Sequence, residues 1–553
     1  MLAACLTGCG GLKPDSEDKG AQINVYITDE IRDFDPGYTL INDGTAKVFG
    51  LIYAGLVSLD ENGKVKNDLM DSYEFKEDER DGTYKMYITL KQTMWSDGRN
   101  LTADDVVYAW KRVLDPEFDS PAASLLFDIK NAKAVKMGDC SIDDLGIASV
   151  DNYVLEIEFE NKIDTDLFIE RLASPALVPM REDVVTRYDN WATSASTMVT
   201  SGPFVVKNLN YGKTVTLERN NYYFRDREKD NLDKMVKPYR LNVDYTLTLD
   251  ELLEKYEAGE LFYLGDIPVE KRSEYKSKAV VNDIPSVHTY IVNNDNKLLS
   301  DSRVRKALSM ALDREAISEL VVFAKPATGF VPEMISDKTS KDSFRKNGGT
   351  LISSKGDIEG AKALLSEAKV KGGSFTISYF ESATEEAIAE YCAEIWNELG
   401  FNVKTKKLSN AKKFSNAYSD RDFDILAVDY EVLSNDAFNY MASFAKSYAG
   451  MKIDMQNDKY DLVPHISGYD NAEYEAVIDE AQAVNSRKEK SEYLHKAEEM
   501  LVSDMPVIPI VFNQDFYLIN KKVISGVDTD YFGGKIFEKV TMKNYEKYLP
   551  TED

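Results

Sequence analysis

A chain of 553 residues is too long for a single compact core, so several lobes or domains are expected. Lys and Arg number 67 against 95 Asp and Glu, a net charge of −28, which argues against nucleic acid as a partner because phosphate contacts need a concentrated basic face. No stretch reaches the roughly 18 apolar residues that a membrane-spanning helix requires.

The N-terminal residues have the pattern of a lipoprotein signal. Leu6-Thr7-Gly8-Cys9 resembles a bacterial lipobox, in which small residues precede the cysteine that becomes the diacylated N-terminus. A polar segment then runs to residue 20 and predicts a tether. The resemblance implies a diacylglyceryl anchor on Cys9 that holds the protein at the outer face of the cytoplasmic membrane of a Gram-positive organism, and two acyl chains suffice for stable anchoring.

Next along the chain, a strand over residues 22–28 and a helix over residues 45–56 are expected, followed by a strand, a turn and a helix over residues 84–116. Apolar and polar side chains alternate from residue 84 to residue 90, as in a strand with one buried face. Thr102 and Asp105 form a capping box for the helix, and Pro116 ends it. Trp95 and Trp110 are predicted to be core residues, because large aromatic side chains are usually buried.

The rest of the chain predicts alternating strands and helices, which is typical of α/β lobes. The expected elements are a strand at 153–159, a hairpin at 201–224, a helix that ends near 260, a strand into 293–294, helices at 304–312, 358–365 and 387–399, strands at 375–380 and 423–428, a helical stretch at 470–503 and a strand at 504–510.

Five of these segments, in this order, resemble elements of the extracellular solute-binding proteins that serve peptide ABC importers, the oligopeptide-binding group. They are residues 95–116, 201–224, 256–260, 288–320 and 504–510, and the resemblance extends over residues 22–545. It implies an α/β, two-lobed periplasmic-binding-protein-like fold of class II, the large peptide-binding type, with an extra α+β domain. A ligand is then enclosed between the lobes by hinge motion, and an extended peptide pairs its backbone with strands of the cleft walls.

The resemblance also implies a domain division. Residues 1–20 are a lipoprotein signal remnant and tether; lobe I comprises residues 21–56, 180–284 and 511–550; the extra domain comprises residues 57–179; and lobe II comprises residues 285–510.

The residues after the predicted strand at 423–428 are the first candidates for ligand contact. In the family, a run Gly-Trp-x-x-Asp-Tyr-x-(Asp/Glu)-Pro follows this strand, and its first Asp pairs with the α-ammonium of the ligand. An ungapped alignment matches Tyr430 to the Trp and Asp436 to the later acid, and it puts Leu433, which cannot pair with an ammonium, at the anchor position. A gapped alignment instead matches Asp429 and Tyr430 to the Asp-Tyr pair and keeps the anchor.

Three explanations of Leu433 stay open. Asp429, Glu431 or Asp436 substitutes for the anchor, or the ligand lacks a free amine, or it is not a peptide. Tyr430 is predicted to form an aromatic wall. The opposite wall is matched more loosely, by residues that follow Asp35-Pro36: Tyr38, Leu40, Ile41 and Asn42.

The function that the resemblance implies is the substrate-binding component of an ABC importer for oligopeptides, acting as a monomer with a membrane permease and ATPase subunits. The alternatives are a non-peptide ligand such as a metal chelate or an oligosaccharide, a signalling-peptide receptor, an adhesion or chaperone-like role, or a hydrolase. No catalytic residue, cofactor or metal site is predicted, because the sequence contains no HExxH, GxSxG or Cys/His ligand spacing. His288 and His495 are expected to be structural or exposed.

Overall fold

The structure is a computed structural model that describes residues 19–31, 33–37, 44, 46–118, 120, 122–223, 232–431, 434–449, 451–454, 459–462 and 464–548. Within these ranges, no helix combines the length and the apolar character that crossing a membrane demands.

We use the names lobe I, lobe II and extra domain for the residue ranges predicted above. The residues of the extra domain contain a four-stranded antiparallel sheet in the order β4-β5-β9-β8. The chain reaches it after one strand and one helix of lobe I, β1 (Gln22–Tyr26) and α1 (Ala46–Ile52). Its own elements are β2 (Val57–Leu59), β3 (Val65–Asn67), β4 (Met70–Asp78), β5 (Thr83–Leu90), β6 (Thr93–Met94), β7 (Asn100–Leu101), α2 (Ala103–Leu114), α3 (Ala132–Lys136), β8 (Ile147–Asp151), β9 (Val154–Phe159) and α4 (Thr165–Arg171).

Helix α2 confirms the predicted capping box. The Asp105 carboxylate accepts a hydrogen bond from the Thr102 backbone N–H at 2.8 Å and a second from Trp95 Nε1 at 3.1 Å, so one acid caps the helix and holds the preceding turn. Trp110, fully buried on the apolar face of α2, donates from Nε1 to the Leu177 carbonyl at 3.0 Å. Both tryptophans are therefore core residues, as predicted.

The second segment of lobe I completes the sheet around β1. Because β1 pairs in parallel with both β12 and β13, it lies in the interior of this sheet. The predicted hairpin is confirmed as β10 and β11. Nearby, Gly202 lies so close to α1 that a Cβ atom there would sit 2.5 Å from the Ile52 carbonyl carbon. The elements are α5 (Glu182–Val185), β10 (Phe204–Asn210), β11 (Thr214–Arg219), α6 (Leu232–Met235), β12 (Arg240–Asp244), α7 (Leu249–Ala258), β13 (Tyr263–Leu264) and α8 (Arg272–Tyr275).

Lobe II alternates strands and helices, in agreement with the predicted α/β class. Its elements, with the two long strands that border it, are β14 (Val280–Val292), α9 (Ser302–Ala311), α10 (Arg314–Val321), β15 (Ala324–Pro326), α11 (Phe344–Gly348), α12 (Ile358–Glu367), β16 (Gly373–Phe380), α13 (Ala383–Glu398), β17 (Phe401–Leu408), α14 (Ala411–Ser419), β18 (Ile425–Glu431), α15 (Ala437–Ala442), β19 (Met451–Asp454), β20 (Lys459–Leu462), α16 (Ala472–Ala483), α17 (Arg487–Asp504) and β21 (Val507–Ile519). Four short strands follow: β22 (Ile524–Ser525), β23 (Asp528–Thr529), β24 (Lys535–Ile536) and β25 (Thr541–Met542).

The helical stretch predicted at 470–503 is confirmed, and it consists of two helices. The chain leaves α16 after Ala483, and α17 begins with its own N-cap, because the Ser486 side chain accepts a hydrogen bond from the Glu489 N–H at 3.2 Å. A local side-chain cap thus interrupts a run whose hydrophobic spacing is compatible with continuous helix.

Two strands of 13 residues each, β14 and β21, connect the halves of the molecule. They pair with each other in the middle of a sheet ordered β10-β11-β12-β1-β13-β21-β14-β18-β16-β17, in which strands of lobe I lie on one side and strands of lobe II on the other. The register of this pair shifts between Asp283 and Val287. Past the shift, neighbouring residues of β14 enter different cores, with Tyr290 on one face and Ile291 on the other. Lobe II is therefore a sheet covered on both faces.

Candidate ligand-binding site

Three of the residues predicted to contact the ligand lie on strand β18, and their side chains lie on two different faces of it. Side chains alternate along a strand, so Asp429 and Glu431 share one face and Tyr430 occupies the other. Glu431 is exposed, and the Asp429 side chain is 27% exposed. Tyr430 is buried among Phe330, Tyr440 and Phe444. The prediction that Tyr430 forms a cleft wall is therefore wrong for this arrangement, because its ring packs in the core of lobe II.

Asp429 belongs to a cluster with His288 and Glu385. His288 lies directly opposite Asp429 in the β14–β18 pair, and its Nδ1 is 2.8 Å from Asp429 Oδ1 and 3.3 Å from Glu385 Oε1. Glu385 comes from the first turn of α13, where Ser382 caps the helix. Asn513, on β21, donates to the same Asp429 oxygen at 2.9 Å.

Burial and mutual proximity shift the pKa values of this cluster. Burial lowers the pKa of His288, but the charge of Glu385 and the hydrogen bond to Asp429 outweigh that effect and raise it to about 9. Burial raises the pKa of Glu385 to about 7 against the opposing effect of His288. Burial also acts to raise the pKa of Asp429, but the hydrogen bond and charge of His288 bring it below its ordinary value. Electrostatically, the cluster is two carboxylates that compete for one imidazole.

Asp436 joins lobe II to the extra domain. Its carboxylate accepts a hydrogen bond from the Phe438 N–H at 3.0 Å, which caps α15, and two from Arg171, at 2.7 Å from Nη2 and 3.1 Å from Nε. Arg171 lies at the end of α4 and also pairs with Asp128 of its own domain. Burial alone raises the pKa of Asp436, whereas the positive charges of Arg171 and Lys490 lower it below its usual range. The Asp436 carboxylate, which was predicted to contact the ligand, therefore caps α15 and forms an ion pair with Arg171.

A second pair of opposite charge lies beside the first. Glu170, next to Arg171 on α4, accepts a hydrogen bond from Arg487 Nη2 at 2.7 Å, and Arg487 begins α17 of lobe II. Two adjacent residues of α4 thus form ion pairs with lobe II: Arg171 pairs with Asp436, and Glu170 pairs with Arg487. Both pairs are buried.

Tyr531, in the C-terminal segment of lobe I, completes the contact. Its hydroxyl lies 2.8 Å from both Asn435 Oδ1 and the Met334 carbonyl of lobe II. The Asn435 Oδ1 atom also accepts a hydrogen bond from the Ser336 N–H at 2.9 Å. All three parts of the molecule therefore meet immediately before α15.

A cavity of about 570 Å³ opens beside these contacts, between the extra domain and lobe II. Its size is in the range of small-ligand sites. Polar groups from both sides line it, including Asp128 and Lys133 from the extra domain and Asp479, Gln482 and Arg487 from lobe II. Two contacts cross it: Gln482 Nε2 donates to Asp128 at 2.8 Å, and Lys133 lies 3.6 Å from Asp479.

Lobe I faces Asp429 with a group of alternating charges. Lys47, on α1, lies 3.9 Å from Asp515 of β21, and its charge contributes to the low pKa of Asp429. Asp515 also pairs with the buried Lys535. Burial lowers the pKa of Lys535 to about 8, although Asp515 opposes this effect. This wall of the cleft is therefore polar and charged.

Several predicted site residues lie outside the described residues. They are the lipobox cysteine, the opposite-wall residues and the anchor position: Cys9, Tyr38, Leu40, Ile41, Asn42 and Leu433.

The sequence analysis missed Glu170, Arg171 and Glu385, and it assigned His288 no function. An acid and a base at the end of an amphipathic helix resemble any solvated pair, so α4 carried no distinguishing signal. For His288 a signal existed. It is the one residue in the run Val287-His288-Thr289-Tyr290-Ile291-Val292 whose side chain ordinarily changes charge near neutral pH. A polar side chain in such an apolar strand requires a partner.

Comparisons with known proteins cover nearly the whole chain. The model of the bacterial extracellular solute-binding proteins, family 5 Middle, matches residues 64–452, more than half of the chain. The oligopeptide-binding protein OppA of Bacillus subtilis (strain 168) is 28% identical over 572 aligned positions, with 97% of each chain covered. The dipeptide-binding protein DppE of the same organism is 26% identical, with 94% of each chain covered.

Solved structures confirm the predicted fold class. The substrate-binding domain of an oligopeptide ABC transporter from Bacillus anthracis str. Ames superposes with a TM-score of 0.79 at 23% identity, covering 95% of this chain and 99% of that one. At this identity the likeness establishes the fold, which is the two-lobed, class II α/β arrangement.

Proposed function

Since the chain belongs to the bacterial extracellular solute-binding proteins, family 5, we propose that it is the substrate-binding component of an ABC importer and that it captures extended oligopeptides between its lobes. Membership in this family makes the chain a binding protein and not an enzyme, in agreement with the sequence analysis. The observation that carries the proposal is the family match over residues 64–452, supported by the names of the relatives, which are oligopeptide- and dipeptide-binding proteins.

Closure is proposed to take place about the β14–β21 pair. Both strands pass from lobe I to lobe II, and their register shifts between Asp283 and Val287, where Pro285 lacks a backbone N–H for the ladder. A few residues at such an irregularity can absorb the change in backbone angles of a hinge. In the closed arrangement, the two ion pairs between α4 and lobe II then hold the cleft shut.

The ligand is proposed to contact the face of β18 that carries Asp429 and Glu431. Side chains on that face border the proposed cleft, in which an extended peptide pairs its backbone with exposed backbone groups of the walls; each such hydrogen bond contributes about 1 kcal/mol net, so several are required. Backbone pairing does not depend on side-chain identity, which suits a binder of varied peptides. Asp436 is proposed to act in closure rather than in contact with the ligand.

Delivery and location complete the proposal. The protein is anchored by a diacylglyceryl group on Cys9 to the outer face of the cytoplasmic membrane of a Gram-positive organism, and as a monomer it hands its ligand to a permease driven by ATPase subunits. The four-part domain division given above is proposed to hold. Replacement of Cys9 by Ala tests the anchor: labelled palmitate should enter the wild-type protein and not the variant, and equal labelling of both would contradict it.

The function itself is tested by mass spectrometry of the small molecules released when the purified protein is denatured. A ladder of short peptides supports an oligopeptide binder, and free N-termini among them mean that another acid replaces the anchor lost at Leu433. A single non-peptide compound, such as a metal chelate or an oligosaccharide, refutes the peptide assignment but leaves the transport class. If nothing is released, titration with free and N-terminally blocked peptides decides, and failure of both to bind refutes the peptide assignment.

A further inference from the structure

The cluster of His288, Glu385 and Asp429 contains more ligand capacity than its hydrogen bonds use. We propose that these three side chains bind a divalent first-row transition-metal ion, represented here by Zn²⁺, on the lobe II side of the cleft. No metal site is predicted from the sequence, because it contains no set of ligands at the short spacings typical of such sites. These three come from β14, α13 and β18 and meet only in the folded lobe.

The spacing of the donor atoms suits a metal ion. One ring nitrogen of His288, one Glu385 oxygen and one Asp429 oxygen all lie within 4.8 Å of one another. With metal–ligand bonds of about 2.1 Å, neighbouring donors of a tetrahedral or octahedral site are about 3.0–3.4 Å apart. The 3.3 Å between His288 and Glu385 already meets this requirement, and the 2.8 Å between His288 and Asp429 needs to lengthen by only a few tenths of an ångström.

Unused buried polar atoms point to a missing partner. Glu385 is only 8% exposed, yet its Oε2 has no hydrogen-bond partner among the described residues. Such a group is costly to bury unless something compensates its charge. The positive charge of a protonated His288 balances the negative charge of one carboxylate, Glu385 or Asp429. A divalent ion balances the charges of both. Among the described residues, Lys47 approaches from lobe I, and its ammonium group lies against Asp515.

The site is assembled before any ligand arrives. All three donors belong to lobe II, so its geometry does not depend on closure of the lobes. His288 and Asp429 are fixed as a cross-strand pair, and Glu385 is fixed in a capped helical turn. Asn513 holds the Asp429 carboxylate from outside, as an outer-shell partner of a metal ligand does. Asp429, with 27% of its side chain exposed, provides the path from the cleft.

The donor set selects the kind of metal. One imidazole and two carboxylates favour a borderline ion such as Zn²⁺, Ni²⁺ or Co²⁺ over Ca²⁺ and Mg²⁺, which prefer all-oxygen sites. The absence of a thiolate from the donor set argues against Cu⁺.

Isothermal titration of the EDTA-treated, tag-free protein with ZnCl₂ tests the proposal, with CaCl₂ as the competing probe. One Zn²⁺ per chain is expected in the micromolar range or tighter, unaffected by excess Ca²⁺. Glu385→Gln, which keeps the shape of the side chain, should weaken binding at least 100-fold, and Asn513→Ala about 10- to 100-fold. The matched control is His495→Gln, because His495 forms a His–Asp pair with Asp337 elsewhere in the lobe and its loss should leave Zn²⁺ binding unchanged.

Anomalous diffraction at the zinc edge from a soaked wild-type crystal gives a second readout that requires no variant to fold. A peak within bonding distance of His288, Glu385 and Asp429 supports the proposal. Zinc found only elsewhere on the acidic surface, binding that Glu385→Gln leaves intact, or no stoichiometric binding overturns it. Peptide binding is measured separately, so a failure of the metal proposal leaves the proposed transport function untouched, and the reverse also holds.

Discussion

Replacing Asp436 by Asn isolates the ion pair that joins lobe II to the extra domain. Asn caps a helix about as well as Asp, so α15 should keep its N-terminus. What is lost is the negative charge that Arg171 meets across the cleft. Both partners are buried, with exposures of 1% for the Arg171 side chain and 5% for that of Asp436.

The size of the effect follows from this burial. Removing one member of a buried ion pair costs about 3–5 kcal/mol when the other is left unpaired. In the Asp436→Asn variant Arg171 still pairs with Asp128, so we expect a smaller free-energy cost of about 2 kcal/mol. This value is near the lower limit for truncating one member of a hydrogen-bonded charge pair at an interface. The cost falls on the closed arrangement, since opening the cleft lets water solvate Arg171. At 1.4 kcal/mol for each factor of ten, ligand affinity should fall about 30-fold.

Calorimetric titration with a peptide recovered from the wild-type protein measures this loss. Asp357→Asn is the matched control, because Asp357 caps α12 of the same lobe, accepting from Gly360 N–H, but is exposed to solvent. The control should bind within twofold of wild type, and thermal unfolding of both ligand-free variants should match wild type within a few degrees. Unchanged or tighter binding by Asp436→Asn would show that this pair does not stabilise the closed state.

Three further substitutions test the fold. Asp105→Ala should lower the free energy of unfolding by about 2–3 kcal/mol in urea titrations, because a helix cap and an indole N–H both lose their acceptor, whereas Asp104→Ala on the exposed side of the same helix should cost under about 1 kcal/mol. Gly202→Ala should abolish soluble expression or lower Tm by at least several degrees, and a wild-type Tm would refute the close approach to α1. Burial, aided by Arg421, lowers the pKa of His465 to about 3, so the folded state stays neutral while the unfolded state gains a proton below about 6.5. Stability is therefore lost as the pH falls below 6.5. The loss of folding stability caused by His465 is about 2 kcal/mol at pH 5. The His465→Asn variant should not show this loss, whereas a control substitution at His495 should leave it in place.

The sequence was a good guide wherever the deciding interactions are local. The capping box of α2 joins residues three apart, and the hairpin of β10 and β11 closes over the short turn between Asn210 and Thr214; the structure contains both. The fold class followed from the order of such segments. The helical stretch predicted at 470–503 is also present, but hydrophobic spacing alone did not reveal that a second helix begins within it, capped by Ser486.

The candidate site was harder to predict because its parts are distant in sequence. Asp429 was selected for its likeness to a family motif, but its partners His288 and Glu385 lie on a strand and a helix whose pairing no local pattern specifies. Tyr430 was predicted to form an aromatic wall, but its ring packs in the core of lobe II. Which face of β18 is turned to that core depends on aromatic residues that come later in the chain, Tyr440 of α15 and Phe444 just after it.

The central position of β21 affects how the chain can fold as it is made. Strand β13 pairs with β21, which begins at Val507 and is therefore synthesised more than 200 residues later. Until then the sheet of lobe I ends in an unpaired edge, and one side of β14 is unpaired as well. Unpaired strand edges are prone to pair with other chains. Pairing across such a separation is slow. The chain therefore stays incompletely folded until nearly all of it has emerged, and a version that ends before residue 507 loses the strand that unites its two lobes.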